Sequence, residues 1–120
     1  MTTSVLVVDD EAGMRETLVD ILTTAGYVVT PAEDGAAALE LARSEPYDVI
    51  IMDIRMPAMT GVEVLASLDH PPPQIVLMTG YALEEQLSQA RENNAFAIMQ
   101  KPFQVPYLLR IVAEAARSAA

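Results

Sequence analysis

Val49-Ile50-Ile51-Met52-Asp53-Ile54-Arg55-Met56-Pro57 is the stretch on which the fold turns. Its four leading apolar residues read as a strand buried on both faces, and a carboxylate ends it. A charge closing a core strand must be solvated, paired or used. Three other apolar runs close in the same way. Val5-Leu6-Val7-Val8 meets Asp9-Asp10, Ile75-Val76-Leu77-Met78 meets Thr79-Gly80, and Phe96-Ala97-Ile98-Met99 meets Gln100-Lys101-Pro102. As parallel strands of one sheet, they gather their polar ends at one edge. In open α/β sheets that carboxyl edge is where ligands bind.

The segments between the runs read as helices. Met14, Leu18, Ile21, Leu22 and Ala25 recur at helical spacing over residues 12–25, with Arg15, Glu16 and Asp20 on the opposite face and Gly26 as a C-terminal stop. A short strand follows over 27–30. Asp34 is placed to cap a second helix running to about residue 44, and Pro46 lies beyond it. Thr60-Gly61-Val62-Glu63 has the form of a capping box opening a short third helix. His70-Pro71-Pro72-Pro73 cannot continue that helix and reads as a stiff connection, with the lone histidine a loop residue. Leu83, Leu87 and Ala90 mark a fourth helix, with Glu84, Glu85, Gln86, Gln89 and Arg91 outward. A fifth strand is predicted over 95–99. Val105, Leu108, Leu109, Val112 and Ala116 mark the last helix, with Pro106 in its first turn. The order βαβαβαβαβα predicts a single α/β domain, a doubly wound five-stranded parallel sheet flanked by five helices. Element order alone does not fix the strand order; 2-1-3-4-5, a common order of doubly wound sheets, is taken, and it also gives a switch point beside the first strand.

Composition narrows the function. The chain has 120 residues, 52% hydrophobic and only 5% aromatic, so aliphatic side chains must fill one core. With no cysteine, disulfides, thiol chemistry and cysteine metal sites are excluded, which fits a cytoplasmic setting. A formal charge of −10 argues against direct contact with nucleic acid or an anionic membrane. Met1-Thr2-Thr3-Ser4 leads straight into the first strand, so no signal peptide is expected, and no apolar stretch approaches membrane-spanning length.

The sheet edge carries the chemistry. Asp9, Asp10 and Asp53 held close together repel one another, so either some protonate or a cation lies between them. Hard oxygen ligands in an incomplete cage suit Mg²⁺, which keeps waters and shares a phosphate. On this reading Asp53 accepts a phosphoryl group, Lys101 holds a phosphoryl oxygen as a point charge, and Thr79 donates a hydroxyl to it. Gly80 would let the backbone approach the phosphate. A cis bond before Pro102 would aim Lys101 inward. Taken singly, the Asp-Asp pair reads as a solvated turn, Lys101 as a surface lysine and Thr79 as a strand-end cap; the ordered set outweighs these readings.

The ordered motifs Val7-Val8-Asp9-Asp10-Glu11, Met52-Asp53-Ile54-Arg55-Met56-Pro57 with Gly61 after it, Met78-Thr79-Gly80-Tyr81 and Lys101-Pro102-Phe103 closely resemble the receiver domain of bacterial two-component response regulators, over essentially all of residues 1–120. The resemblance implies a flavodoxin-like fold. It implies Asp53 as phosphoacceptor, supplied by a phosphohistidine on a sensor histidine kinase or phosphotransfer protein. Mg²⁺ would be bound by the Asp10 and Asp53 carboxylates, by the Arg55 main-chain carbonyl and, through water, by Asp9. Thr79 and Lys101 would bind the phosphoryl oxygens. The movement of Thr79 would alter the face formed by helix 4, strand 5 and helix 5, which an effector domain, a downstream protein or a second copy in a homodimer would read. The domain would then be a phosphoacceptor, promoting only its own phosphorylation and dephosphorylation, and not an enzyme acting on other molecules.

Departures from the family pattern are specific. Ile98 stands three residues before Lys101, where the family usually has Tyr or Phe; Phe96, two residues earlier, is placed on the same strand face. Arg55 and Tyr81, each two residues past a site residue, would overhang the site and tune the lifetime of the phosphoryl group. Three other readings compete. An aspartate-nucleophile phosphatase usually has an acid two positions after its nucleophile, where this chain has Arg55. A flavin or nucleotide module needs a phosphate-cradling loop after the first strand, where this chain has Asp9-Asp10-Glu11. The third is a degenerate receiver acting only as a protein-interaction module. The chain closes at Arg117-Ser118-Ala119-Ala120, about where the last helix ends, which fits a stand-alone receiver or one cut from a longer regulator.

Overall fold

The computed structural model describes residues 2–68, 74–80 and 84–118. The His70-Pro71-Pro72-Pro73 connection, Tyr81 and Leu83 lie outside the described residues. Five strands alternate with five helices: β1 (Ser4–Val8), α1 (Ala12–Thr24), β2 (Val28–Ala32), α2 (Gly35–Ser44), β3 (Val49–Asp53), α3 (Gly61–Ser67), β4 (Gln74–Thr79), α4 (Glu84–Glu92), β5 (Ala97–Gln100) and α5 (Val105–Ser118). All pairings are parallel, as the alternation of elements predicts, and the strand order is β2-β1-β3-β4-β5, the order adopted above.

The central strands β1, β3 and β4 are apolar between their ends because both faces are covered. Leu6, Val8, Ile50, Met52, Ile75 and Leu77 pack toward Ala38 of α2, Val62, Val64 and Leu65 of α3, and Ala90 of α4. The alternate residues Val5, Val7, Val49, Ile51, Val76 and Met78 pack toward Leu18 and Leu22 of α1 and Leu108, Ile111, Val112 and Ala115 of α5. This is the period-two alternation of a strand used on both sides. Each such side chain contributes roughly 1.5–3 kcal/mol on burial. Helix α4 has the lightest hold, with Ala90 its only buried residue.

Ends of elements follow local chemistry. Helix α1 stops in a Schellman turn: Gly26 at φ +102° donates its N–H to Thr23 O, and Tyr27 donates to Leu22 O. Asn94, at φ 62°, closes α4 in the same pattern, with Asn94 N–H to Arg91 O and Ala95 N–H to Ala90 O. Asp34 Oδ1 accepts from Ala37 N at 2.8 Å and caps α2. At α3 the capping box is complete: Thr60 Oγ1 accepts from Glu63 N at 3.1 Å, and Glu63 Oε1 accepts from Thr60 N at 2.9 Å. Replacing Thr60 with Ala should cost about 1 kcal/mol, read as a lowered urea midpoint at unchanged slope; an unchanged midpoint would show that α3 is held by packing alone.

Several boundaries and faces differ from expectation. Strand β2 continues through Pro31 to Ala32. It pairs only with β1, and an edge strand tolerates a residue with no N–H on its outer side. Strand β5 starts at Ala97, so Phe96 precedes it and packs with the α1–α5 cluster, whereas Ile98 packs on the other. The two do not share a face, because strand alternation does not extend back to Phe96. In α5, Ile111 and Ala115 are buried while Val105 is 43% exposed: the buried stripe begins one turn in, over the sheet.

Candidate functional site

The site lies where the topology reverses. From β1 the chain goes outward to β2, then returns past β1 to β3, leaving the ends of β1 and β3 side by side. Register places Val8 opposite Met52, so Asp9 and Asp53 are the next residues along their strands. On the far side Asp53 faces Met78, and Thr79 faces Gln100. The strand ends are stitched together: Ile54 N–H donates to Met78 O at 2.9 Å and Lys101 N–H to Thr79 O at 2.7 Å. Asp53, Thr79 and Lys101 therefore converge as the sequence predicts. The Lys101–Pro102 bond is cis.

Lys101 is the hub. Its Nζ lies 2.7 Å from Asp53 Oδ2 and 3.2 Å from Asp9 Oδ2. Burial alone would lower the pKa of this ammonium, but the Asp53 and Asp9 carboxylates outweigh that and the net shift is upward from 10.5. Lys101 is thus charged at neutral pH. Its contribution to stability is full below 10.5 and is lost only as pH climbs through the higher folded value.

The three carboxylates are not equivalent. Asp9 is 1% exposed, Asp53 7%, and Asp10 is exposed. Asp9 spends Oδ1 on Glu11 N at 2.9 Å and Oδ2 on Lys101. Asp53 spends Oδ1 on Arg55 N at 3.0 Å and Oδ2 on Lys101. One oxygen from each of Asp9, Asp10 and Asp53 lies within 4.8 Å of the others, a set that could hold a metal ion. Thr79 is 7% exposed, and its Oγ1 is buried with no hydrogen-bond partner among the described residues. Such a group costs roughly 1–3 kcal/mol.

An open cleft of about 640 Å³ lies over these groups, with Asp10, Asp53, Arg55, Gly80 and Lys101 among its walls. A Cβ at Gly80 would meet no atom within 4 Å among the described residues. Gly61 is different. A Cβ there would fall 2.5 Å from Asp53 O and 3.1 Å from Ile54 Cα, so α3 rests directly on the backbone that carries Asp53. Two side chains are closer to the site than their helical faces suggest. Gln86, expected outward on α4, is half-buried and lines the cleft. Arg15, expected outward on α1, is half-buried and donates from Nη1 to Asp9 O at 2.7 Å. A lone arginine on a polar helix face gives no sequence signal for such a backward reach.

Comparison with known proteins agrees with this fold. A family model described as the response regulator receiver domain matches residues 5–113. A response regulator receiver protein of Anaeromyxobacter is 36% identical over 106 residues, covering 87% of this chain and 44% of that protein. The sporulation initiation phosphotransferase F of Bacillus subtilis is 28% identical, covering 88% of this chain and 86% of that protein. A CheY-like receiver domain structure from Methanospirillum hungatei superposes with a TM-score of 0.94 at 27% identity, covering 99% of this chain and 97% of that one. The chain spans about half or less of the length of several curated relatives.

Proposed function

The chain belongs to the response regulator receiver domain family, and from that premise we propose that residues 1–120 form one phosphorylation-dependent switch with Asp53 as its phosphoacceptor. The observation that carries the reading is the unpartnered Thr79 hydroxyl, buried at the strand end beside the Asp53–Lys101 pair. A phosphoryl oxygen would satisfy it. In the transfer, Asp53 Oδ attacks the phosphorus of a phosphohistidine, the P–N bond breaks as the P–O bond forms, and the imidazole leaves with the electron pair. Lys101 would turn from the free carboxylate to the bound phosphoryl oxygens. The dense negative charge on those oxygens would draw the ammonium, while another of them accepts from the Thr79 hydroxyl.

The donor set suits Mg²⁺, with Asp10 and Asp53 as carboxylate ligands, the Arg55 carbonyl as a third and Asp9 acting through water. When bound, the ion would neutralise phosphoryl charge and align the incoming group. The exposed Asp10 fits a direct ligand, and the enclosed Asp9 fits a supporting one. A sensor histidine kinase or phosphotransfer protein would supply the group. An effector domain, a downstream protein or a second copy would read the face formed by α4, β5 and α5, where Tyr107 lies exposed with the Arg110 guanidinium 5.2 Å from its ring centroid. Among the described residues no helix is long and apolar enough to cross a membrane.

Intact mass after incubation with acetyl phosphate tests the reading. One phosphoryl adduct, present with Mg²⁺ and absent with chelator, is the expected result. A folded chain that binds Mg²⁺ yet takes no phosphoryl group from either acetyl phosphate or a phosphorylated histidine phosphotransfer protein would overturn it.

Lys101→Met makes a separate prediction. It leaves the Asp9 and Asp53 carboxylates facing each other without their cation, so the variant should melt below the wild type in metal-free buffer. Saturating Mg²⁺ should raise its melting temperature more than it raises that of the wild type. Equal increments would show that the lysine and the ion do not share the same carboxylates.

A further inference from the structure

We propose that Arg15 is a positioning residue for the acidic pair, fixing the turn that keeps Asp9 on Lys101 and leaves Asp10 free for a divalent cation. The inference rests on the metal-dependent reading above and adds a residue to it. Every polar atom of Asp9 is engaged. Its N–H donates to Ala32 O at 3.2 Å, its carbonyl accepts from Arg15 Nη1 at 2.7 Å, Oδ1 accepts from Glu11 N at 2.9 Å, and Oδ2 accepts from Lys101 Nζ at 3.2 Å. Ala32, Glu11 and Lys101 hold the strand side, the turn and the carboxylate. Among the described residues only Arg15 holds the carbonyl, which is the link between Asp9 and Asp10.

A second observation points the same way. Helix α1 begins directly after the acidic turn, yet its N-cap residue Glu11 makes no side-chain cap, and no acidic residue occupies its first turn. Helices α2 and α3 both have side-chain caps. The start of α1 is therefore weakly fixed by the usual means. The Arg15 guanidinium, reaching back six residues from within the helix, ties the helix to the end of β1 instead. A neutral side chain of similar length would leave a buried carbonyl unpaired and the Asp9-Asp10 turn free to rotate. A rotation would exchange the inward and outward roles of two adjacent carboxylates.

Charge and positioning predict opposite signs, which makes the inference testable. Arg15→Met removes a positive charge beside an acidic site. If the guanidinium acted only through its charge, Mg²⁺ would bind more tightly to the variant. If it positions the turn, Mg²⁺ should bind about five- to tenfold more weakly, while Arg15→Lys, which keeps a donor, should stay within about threefold of the wild type. Calorimetric titration with Mg²⁺ alone reads this, with circular dichroism confirming that each chain is folded. Hydrogen exchange at the Glu11 amide gives a readout that needs no metal. That amide donates to Asp9 Oδ1, and in Arg15→Met it should exchange at least about tenfold faster while β3 amides keep their wild-type rates. Unchanged Glu11 exchange, or Mg²⁺ binding as tight as or tighter than wild type, would overturn the positioning role. A wild-type chain that binds no Mg²⁺ would overturn the metal arm and the metal-dependent reading itself, while the Glu11 exchange result would still decide whether Arg15 holds the turn.

Discussion

Asp53→Asn should take up no phosphoryl group from acetyl phosphate under conditions that fully label the wild type, a drop of at least about a hundredfold, or some 2.7 kcal/mol in barrier. An amide oxygen is not a nucleophile that can form an acyl phosphate. Nor can a neighbour take its place. Asp9 is 1% exposed, with both carboxylate oxygens committed to Glu11 N and Lys101. Asp10 is exposed but makes no bond to Lys101, the cation that would share the incoming charge. The variant should nevertheless fold, because Asn preserves the shape and removes one of three mutually repelling charges within 4.8 Å. Intact mass gives the labelling result and thermal melting the folding result. An adduct persisting in the folded variant would move the acceptor elsewhere.

Gly61→Ala is expected to be the most damaging single-methyl change near the site. The new Cβ would lie 2.5 Å from Asp53 O and 3.2 Å from Asp53 C, both backbone atoms of a strand end buried in the sheet. A flexible side chain could rotate aside, but this backbone cannot. It is held by Ile54 N–H to Met78 O and by Gly61 N–H to Ile54 O, both 2.9 Å. Helix α3 must lift or Asp53 must shift. A loss of about 2–3 kcal/mol follows, at the upper end for overpacking, with a melting temperature lower by roughly 10 °C. Labelling should slow as well, since the carboxylate moves with its backbone. The matched control is Gly13→Ala in α1, where a Cβ would meet nothing within 4 Å. It should hold or slightly raise stability, by up to about 1 kcal/mol, through helix propensity. Equal urea midpoints for the two variants would show that the contact at Gly61 carries no strain.

What could be read from the sequence follows from how each signal is written. The sheet was legible because strands buried on both faces are unbroken apolar runs, and Asp53, Thr79 and Lys101 because each ends such a run. The two faces of β5 were less so, because at its start nothing distinguishes Phe96 inside the strand from Phe96 just before it. The stripe of α5 drifted because Val105 has the right spacing to Leu108 but lies beyond the sheet it would cover. That Asp9 is buried against Lys101 while Asp10 stays exposed could not be read from the sequence, since two adjacent identical residues give no order of their own. The Arg15 reach and the Gly61 contact are tertiary facts. A glycine after a capping threonine reads as helix onset, and only the packed molecule shows that a strand's backbone occupies the space of its missing side chain.

Asp9 and Lys101 meet across 92 residues of chain, and Asp53 and Lys101 across 48. No local fragment contains the reactive centre. The Asp9–Lys101–Asp53 cluster comes into being only when the first, third and fifth strands have all found their places, so the proposed chemistry would act as a proofreader of the chain's own assembly. A molecule with its last strand detached retains Asp53 but loses the Lys101 cation beside it, and on the proposed reading should not take up label from a phosphoryl donor. In a mixed population the label would therefore count correctly assembled molecules and pass over the rest.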